Sequence, residues 1–199
     1  MPIIASRDAE HNCVLDVAQF MVSAARTAPK GRGEDRIVTA IVYGEEKEKL
    51  AEEMERLASD GWLTRSMPRD AQNVRESQAV VLIGTKASGE PKNRGGEHCI
   101  YDVDYFSKKV VGEEFQELPP CGMFLIDLGI AIGSAVKIAG DMNVDNRVML
   151  TAGIAARNIG LLEAEVAIGI PLSISGKDPF FDRKWWYIKH YDYYAKSGN

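Results

Sequence analysis

Three kinds of residue in this chain have types that could do chemistry: thiols, imidazoles and one carboxylate in an apolar setting. Cys13, Cys99 and Cys121 are odd in number and widely spaced, which is no disulfide framework and reads as reduced thiols or ligands. His11, His98 and His190 show no i, i+4 pairing and no carboxylate at a metal-binding interval, so zinc is not expected. Ser134 follows Gly133 in GIAIGSAV; that stretch lacks the G-x-S-x-G frame of a nucleophile elbow, and no hydrolase triad is indicated. Asp127 is the one candidate for a buried charge. A carboxylate among apolar neighbours must be paired or hydrogen-bonded, here to backbone amides or to a basic residue such as Arg147 or Arg157. A structural role is preferred over catalysis, because ion-pair networks also perturb acids.

The element carrying Asp127 organises the chain. Between Met123 and Ala139 only Asp127, Ser134 and Lys137 are strongly polar, so the spacing predicts a central helix over 122–140, apolar round nearly its whole circumference and enclosed on all sides. A membrane span is rejected, since Asp127 and Lys137 lie inside the run and Gly122, Gly129, Gly133 and Gly140 stud it. Gly129 and Gly133, four apart on one helical face, open a groove for a close neighbour, either a helix or a flat ligand.

Other elements follow from periodicity. An amphipathic helix is predicted over 9–27, stopped by Pro29. The glycine-containing charged loop APKGRGEDR then hands over to a buried strand, IVTAIVY (37–43). Residues 45–60 read as a surface helix whose charge run is a solvated face, ended by Gly61. AVVLIGT (79–85) reads as a second strand, followed by a Gly- and Lys-rich loop; residues 100–118 form a further expected helix, interrupted by Gly112. Beyond the central helix, 148–159 is expected to be helical and 164–170 to be a third strand of the same sheet. The tail from residue 180 holds Phe180, Phe181, Trp185, Trp186, Tyr187, Tyr191, Tyr193 and Tyr194, half the aromatic residues of the chain. A surface that aromatic must pack on its own domain or over a second subunit.

Composition bounds the function. With 199 residues, 45% hydrophobic and 27% charged, the chain suits one globular domain spanning 1–199, with the aromatic stretch 180–199 as its tail. A net charge of -5 and a pI near 5.3 argue against nucleic acid as the main partner. The N-terminus shows no secretory signal, so the cytoplasm is the expected compartment.

Two stretches carry a family resemblance. AARTAPKGRGEDRIVTAIV (24–42), through Ala25, Ala28 and Pro29, resembles the opening of nitroreductase-like flavoproteins, in which a helix ending in Ala-Pro yields to a loop against the flavin. CGMFLIDLGIAIGSAVKIAGDMNVDNR, with TAGIAARNIGLL and GIPLSISGKDPFFDR, resembles an uncharacterised family said to contain a ferredoxin domain and built on the nitroreductase-like fold. The resemblance implies an α+β fold: a central mixed or antiparallel sheet flanked by helices, with a long buried central helix. That family usually carries C-G-x-C-G-[FY]-x-x-C and a further cysteine before the D-L-G-I-A helix. Here Cys99 matches the middle cysteine, Tyr101 the aromatic and Cys121 the last, while Gly96 and Asp104 replace the other two thiolates. His98, Asp102 or Asp104 could fill a position, but a chain that has lost its [4Fe-4S] cluster is the preferred reading, and an intact cluster is not expected.

The resemblance also implies a cofactor, FMN. Its phosphate would be held by Arg7, Lys177 and Arg183, with Lys30 and Arg32 beside the ring or ribityl chain and Gly31 and Gly33 admitting it to the backbone. The implied function is an FMN-dependent oxidoreductase working as a homodimer with an unknown acceptor. The alternative is a non-enzymatic dimeric scaffold or electron-transfer partner of another redox protein.

Overall fold

The computed structural model describes residues 2–63, 65–86 and 122–181. In chain order these form α1 (Ser6–Thr27), a 3-10 turn (Gly31–Gly33), β1 (Ile37–Tyr43), α2 (Gly44–Ser59), α3 (Met67–Glu76) and β2 (Ala79–Thr85). Then follow α4 (Gly122–Asp141), β3 (Asp145–Asn146), α5 (Leu150–Asn158) and β4 (Val166–Ser173). The described strands make one sheet, ordered β1-β2-β4-β3, in which every pairing is antiparallel. This is the expected α+β architecture.

The sheet separates two cores. On one face α1 brings Val14, Val17, Ala18, Met21 and Ala25, and α4 brings Leu128, Ala131, Ala135 and Ala139. On the other, α2, α3 and α5 pack through Leu50, Met54, Met67, Val74, Ala152 and Ala156. β2 explains how one strand serves both. Its side chains alternate, sending Ala79, Val81 and Ile83 to the first core and Val80 and Leu82 to the second, so an unbroken apolar run is needed.

α5 lies almost in contact with β4. A Cβ on Gly153 would stand 1.9 Å from the Ala167 carbonyl oxygen, and one on Gly169 2.6 Å from the Ala152 Cβ. Met149 and Gly169 exchange backbone hydrogen bonds of 2.8 and 3.0 Å just before the helix begins.

Several expectations need correction. α4 is a helix where predicted, and its length and composition would suffice to cross a membrane, but among the described residues only one face is enclosed. α1 and the sheet cover that face, while Leu125, Ile126 and Ile130 are exposed and no described residue lies within 4 Å of a Cβ on Gly129 or Gly133. The charge run of α2 is not wholly solvated: Lys47 and Glu53 are buried. Lys47 Nζ donates to the Val74 and Arg75 carbonyls at 3.2 and 2.7 Å, satisfying the end of α3 that its own backbone leaves open. The third long strand starts and ends later than expected, at Val166 and Ser173. α3 and the short β3 were not anticipated. The expected helix 100–118 lies outside the described residues, as does the tail beyond Phe181. Phe180 is fully buried in the second core, whereas Phe181 is exposed, with the Arg147 guanidinium 5.4 Å from its ring.

Candidate functional site

The site is built where α1 hands over to β1. Arg32 has φ 56° and ψ 15°, and Gly33 has φ 69°, so two successive residues take left-handed conformations. Glycine adopts this freely, while a residue with a Cβ pays about 1–2 kcal/mol. The conformation is fixed from three sides. Upstream, Lys30 folds back so that its ammonium donates to the carbonyls of Arg26, Ala28 and Ala25, the Ala28 bond being 2.8 Å. Downstream, Asp35 accepts the Ile37 N–H at 3.0 Å and pairs with Arg26. Beneath, Asp127 Oδ1 accepts the Gly31 N–H at 2.9 Å.

The Asp127 carboxylate is therefore bonded to a backbone amide, one of the expected options. Arg147 instead donates to the Phe180 carbonyl at 3.1 Å, and Arg157 to that of Ala164 at 2.7 Å. Asp127 is 5% exposed, and its Oδ2 has no hydrogen-bond partner among the described residues. A Cβ on Gly31 would lie 3.4 Å from the Met123 methyl and 3.6 Å from Asp127 Oδ2, so turn and helix are in close contact.

Beside the turn opens a groove of about 810 Å³, bordered by Arg32, Gly33, Glu34, Arg36, Val38 and Lys86 among others. Arg36 stacks on Phe124, 4.2 Å from the ring centroid, and its guanidinium pairs with Glu34 at 2.6 Å. Such stacking holds a guanidinium flat while leaving its edge for hydrogen bonds.

Of the residues expected to hold a cofactor, the structure places Arg32 and Gly33 at this groove, while Gly31 faces Met123 and Asp127 of α4. Lys30 is adjacent in sequence, but its side chain is 7% exposed and its ammonium is directed into the C-terminus of α1. Arg7 is exposed on the first turn of α1 and Lys177 is exposed beyond β4. Arg183, Cys99 and Cys121 lie outside the described residues. Sequence reasoning missed Arg36, Lys86 and Phe124; the hint available was a basic residue at the foot of β1 and another just past β2, on strands that pair through Ile37 and Thr85.

With this geometry in hand, comparison with known proteins is informative. A family described as uncharacterized proteins containing a ferredoxin domain (DUF2148) matches residues 117–183. An uncharacterized protein of Archaeoglobus fulgidus is 42% identical over 183 residues, covering 91% of this chain and 97% of its own. The chain belongs to this family.

The fold is that of nitroreductase-like flavoproteins. A nitroreductase with bound FMN from Desulfitobacterium hafniense superposes with a TM-score of 0.53 at 12% identity, over 88% of this chain and 81% of that one. A BluB-like flavoprotein from Clostridium difficile gives 0.51 at 14% identity, over 88% and 87%. A nitroreductase family protein from Clostridium novyi gives 0.50 at 14%, over 90% and 81%. Identities this low speak for the fold and leave function to the site.

Proposed function

We propose that this protein is an FMN-binding redox protein of nitroreductase-like type, acting as a homodimer on an acceptor still to be identified. The observation that carries the reading is the fixed left-handed turn Gly31–Gly33 beside a groove bearing Arg32, Arg36 and Lys86. Strained backbone persists only where its surroundings over-determine it, and such places cluster at ligand sites.

The residues present suit the cofactor. Gly33, with open space among the described residues where a Cβ would stand, lets a flat ring approach the backbone, and Arg32 stands at its border. Arg7, at the far end of α1 and about 30 Å of helix from the turn, would reach the phosphate from a second copy, with Lys177 and Arg183 as further charge-assisted donors. Asp127 Oδ2 is a buried acceptor without a donor directly under the turn. When bound, FMN supplies the electron transfer; the protein binds, orients and shields it.

The uncovered face of α4 supports a dimer. Leu125, Ile126 and Ile130 flank a strip left open by Gly129 and Gly133, a surface on which a second copy could approach closely. In this reading the protein works in the cytoplasm, and its acidic balance disfavours nucleic acid as a partner.

A second reading, a relative that has lost its cofactors and serves as a scaffold or electron-transfer partner, is favoured by one observation: the Lys30 ammonium is spent on carbonyls of its own chain. Anaerobic purification with flavin, iron and sulfide analysis separates the two. A yellow protein, or one taking up added FMN stoichiometrically, supports the first. A colourless protein that takes up none overturns it. With Gly96 and Asp104 in two thiolate positions, iron and sulfide are expected well below stoichiometry; full occupancy that disappears in Cys121→Ala would restore the cluster.

A further inference from the structure

We infer that Asp127 is a positioning residue for the cofactor-facing turn: it holds the Gly31–Gly33 backbone in its left-handed form at some cost to the stability of the fold. The inference deepens the flavin reading and rests on it for the identity of the ligand, but its structural half stands alone.

Three observations converge. Arg32, a residue with a Cβ, occupies a left-handed conformation, which is strained and needs an external hold. The bond that ties this turn to the opposite core helix is Gly31 N–H to Asp127 Oδ1, joining residues 96 apart in sequence. The remaining oxygen of the same carboxylate is buried and receives no hydrogen bond among the described residues. A carboxylate in an apolar helix with half its bonding capacity unmet is a poor choice for stability, because desolvation of the charge is only partly offset. An asparagine would accept the same Gly31 hydrogen bond without the charge. Residues that weaken a fold while fixing a loop geometry are found where function requires that geometry.

The test compares Asp127→Ala and Asp127→Asn with the native chain by hydrogen exchange over residues 28–36, by FMN titration and by thermal unfolding. In Asp127→Ala, exchange in the turn is expected to rise at least tenfold and FMN affinity to fall at least tenfold, with the melting temperature within a few degrees of native. Asp127→Asn, which keeps an acceptor, is expected to retain turn protection and affinity within about threefold and to melt no lower than the native chain. Unchanged turn protection in Asp127→Ala overturns the inference. So does a melting temperature in Asp127→Asn that falls in step with affinity, which marks a purely structural residue. If Asp127→Ala does not fold, Asp127→Ser, whose hydroxyl is too short to reach Gly31, replaces it in each comparison. Failure of the native protein to bind FMN refutes the flavin reading while the exchange measurement still judges the hold on the turn.

Discussion

The Thr151 hydroxyl donates a 2.8 Å hydrogen bond to Asp70 Oδ2, both residues being almost wholly buried in the second core. The other oxygen of Asp70 is engaged by the Arg69 guanidinium, with Nε at 2.7 Å, so one carboxylate joins α3 to the first turn of α5. Thr151→Val keeps the shape and removes the donor. Hydrogen bonds to charged groups are worth about 1.5–3 kcal/mol, and a loss of that size is expected in the unfolding free energy obtained from urea denaturation. No measurable change would mean that water replaces the hydroxyl.

Gly153 is the position least able to accept a side chain. A methyl group there would overlap the Ala167 carbonyl, which belongs to the β4 backbone and cannot swing aside. Gly153→Ala is expected to destabilise the protein by at least about 3 kcal/mol, the upper range for overpacking. A circular-dichroism melt within a degree of native would show that α5 does not pack on β4 as described.

Acid should unfold the protein partly through Glu53. The Arg56 guanidinium holds this carboxyl below the ordinary glutamate value of 4.5, against the opposing effect of burial, with the Asn158 side chain assisting. A lowered value in the folded state means that the unfolded chain takes up the proton more readily. The contribution is therefore present above pH 4.5 and disappears as pH falls through the folded value. Glu53→Gln should flatten the acid limb of a stability-against-pH curve below about pH 4.5. Parallel limbs for the two proteins would dispose of the idea.

Ile126 is 45% exposed on the outer face of α4. If that face meets a second copy, Ile126→Asp buries a charge between subunits and should weaken association at least tenfold, leaving a monomer at micromolar concentration by light scattering with native far-UV circular dichroism. A dimer of unaltered stability would move the interface elsewhere.

β1 and β2 were legible to the residue because β-branched runs bounded by polar loops admit little else. α3 was hidden: Met67, Ala71 and Val74 have helical spacing, but Arg69, Asp70, Arg75 and Glu76 mask it, and Pro68 at its start marks a helix entry that went unused. β4 extends through Pro171, which a reader takes for a stop. Gly169 turns its N–H and carbonyl towards Met149, so by alternation Pro171 faces the same side, where β3 pairs only with Leu172 and Ser173. The missing N–H thus breaks no described ladder bond. In the site, an isolated Asp127 announced a buried acceptor, yet its partner lies 96 residues away, beyond any local pattern. The direction of the Lys30 side chain is hidden for a different reason. Residue type says that an ammonium is present, but the free carbonyls ending α1 decide where it turns.

No described long strand pairs with its neighbour through a tight hairpin: β1 meets β2 across two helices, and β2 meets β4 only after the rest of the chain between Thr85 and Val166. During synthesis, then, a strand apolar up to its terminal Thr85 emerges with one edge bare, and its complement follows only after residues 86–165 have been made. The interval is set by translation and not by the chemistry of the strand. For that time the nascent chain carries its most adhesive backbone uncovered, and a pause in translation between β2 and β4 should cost yield even though it alters no residue of the finished molecule.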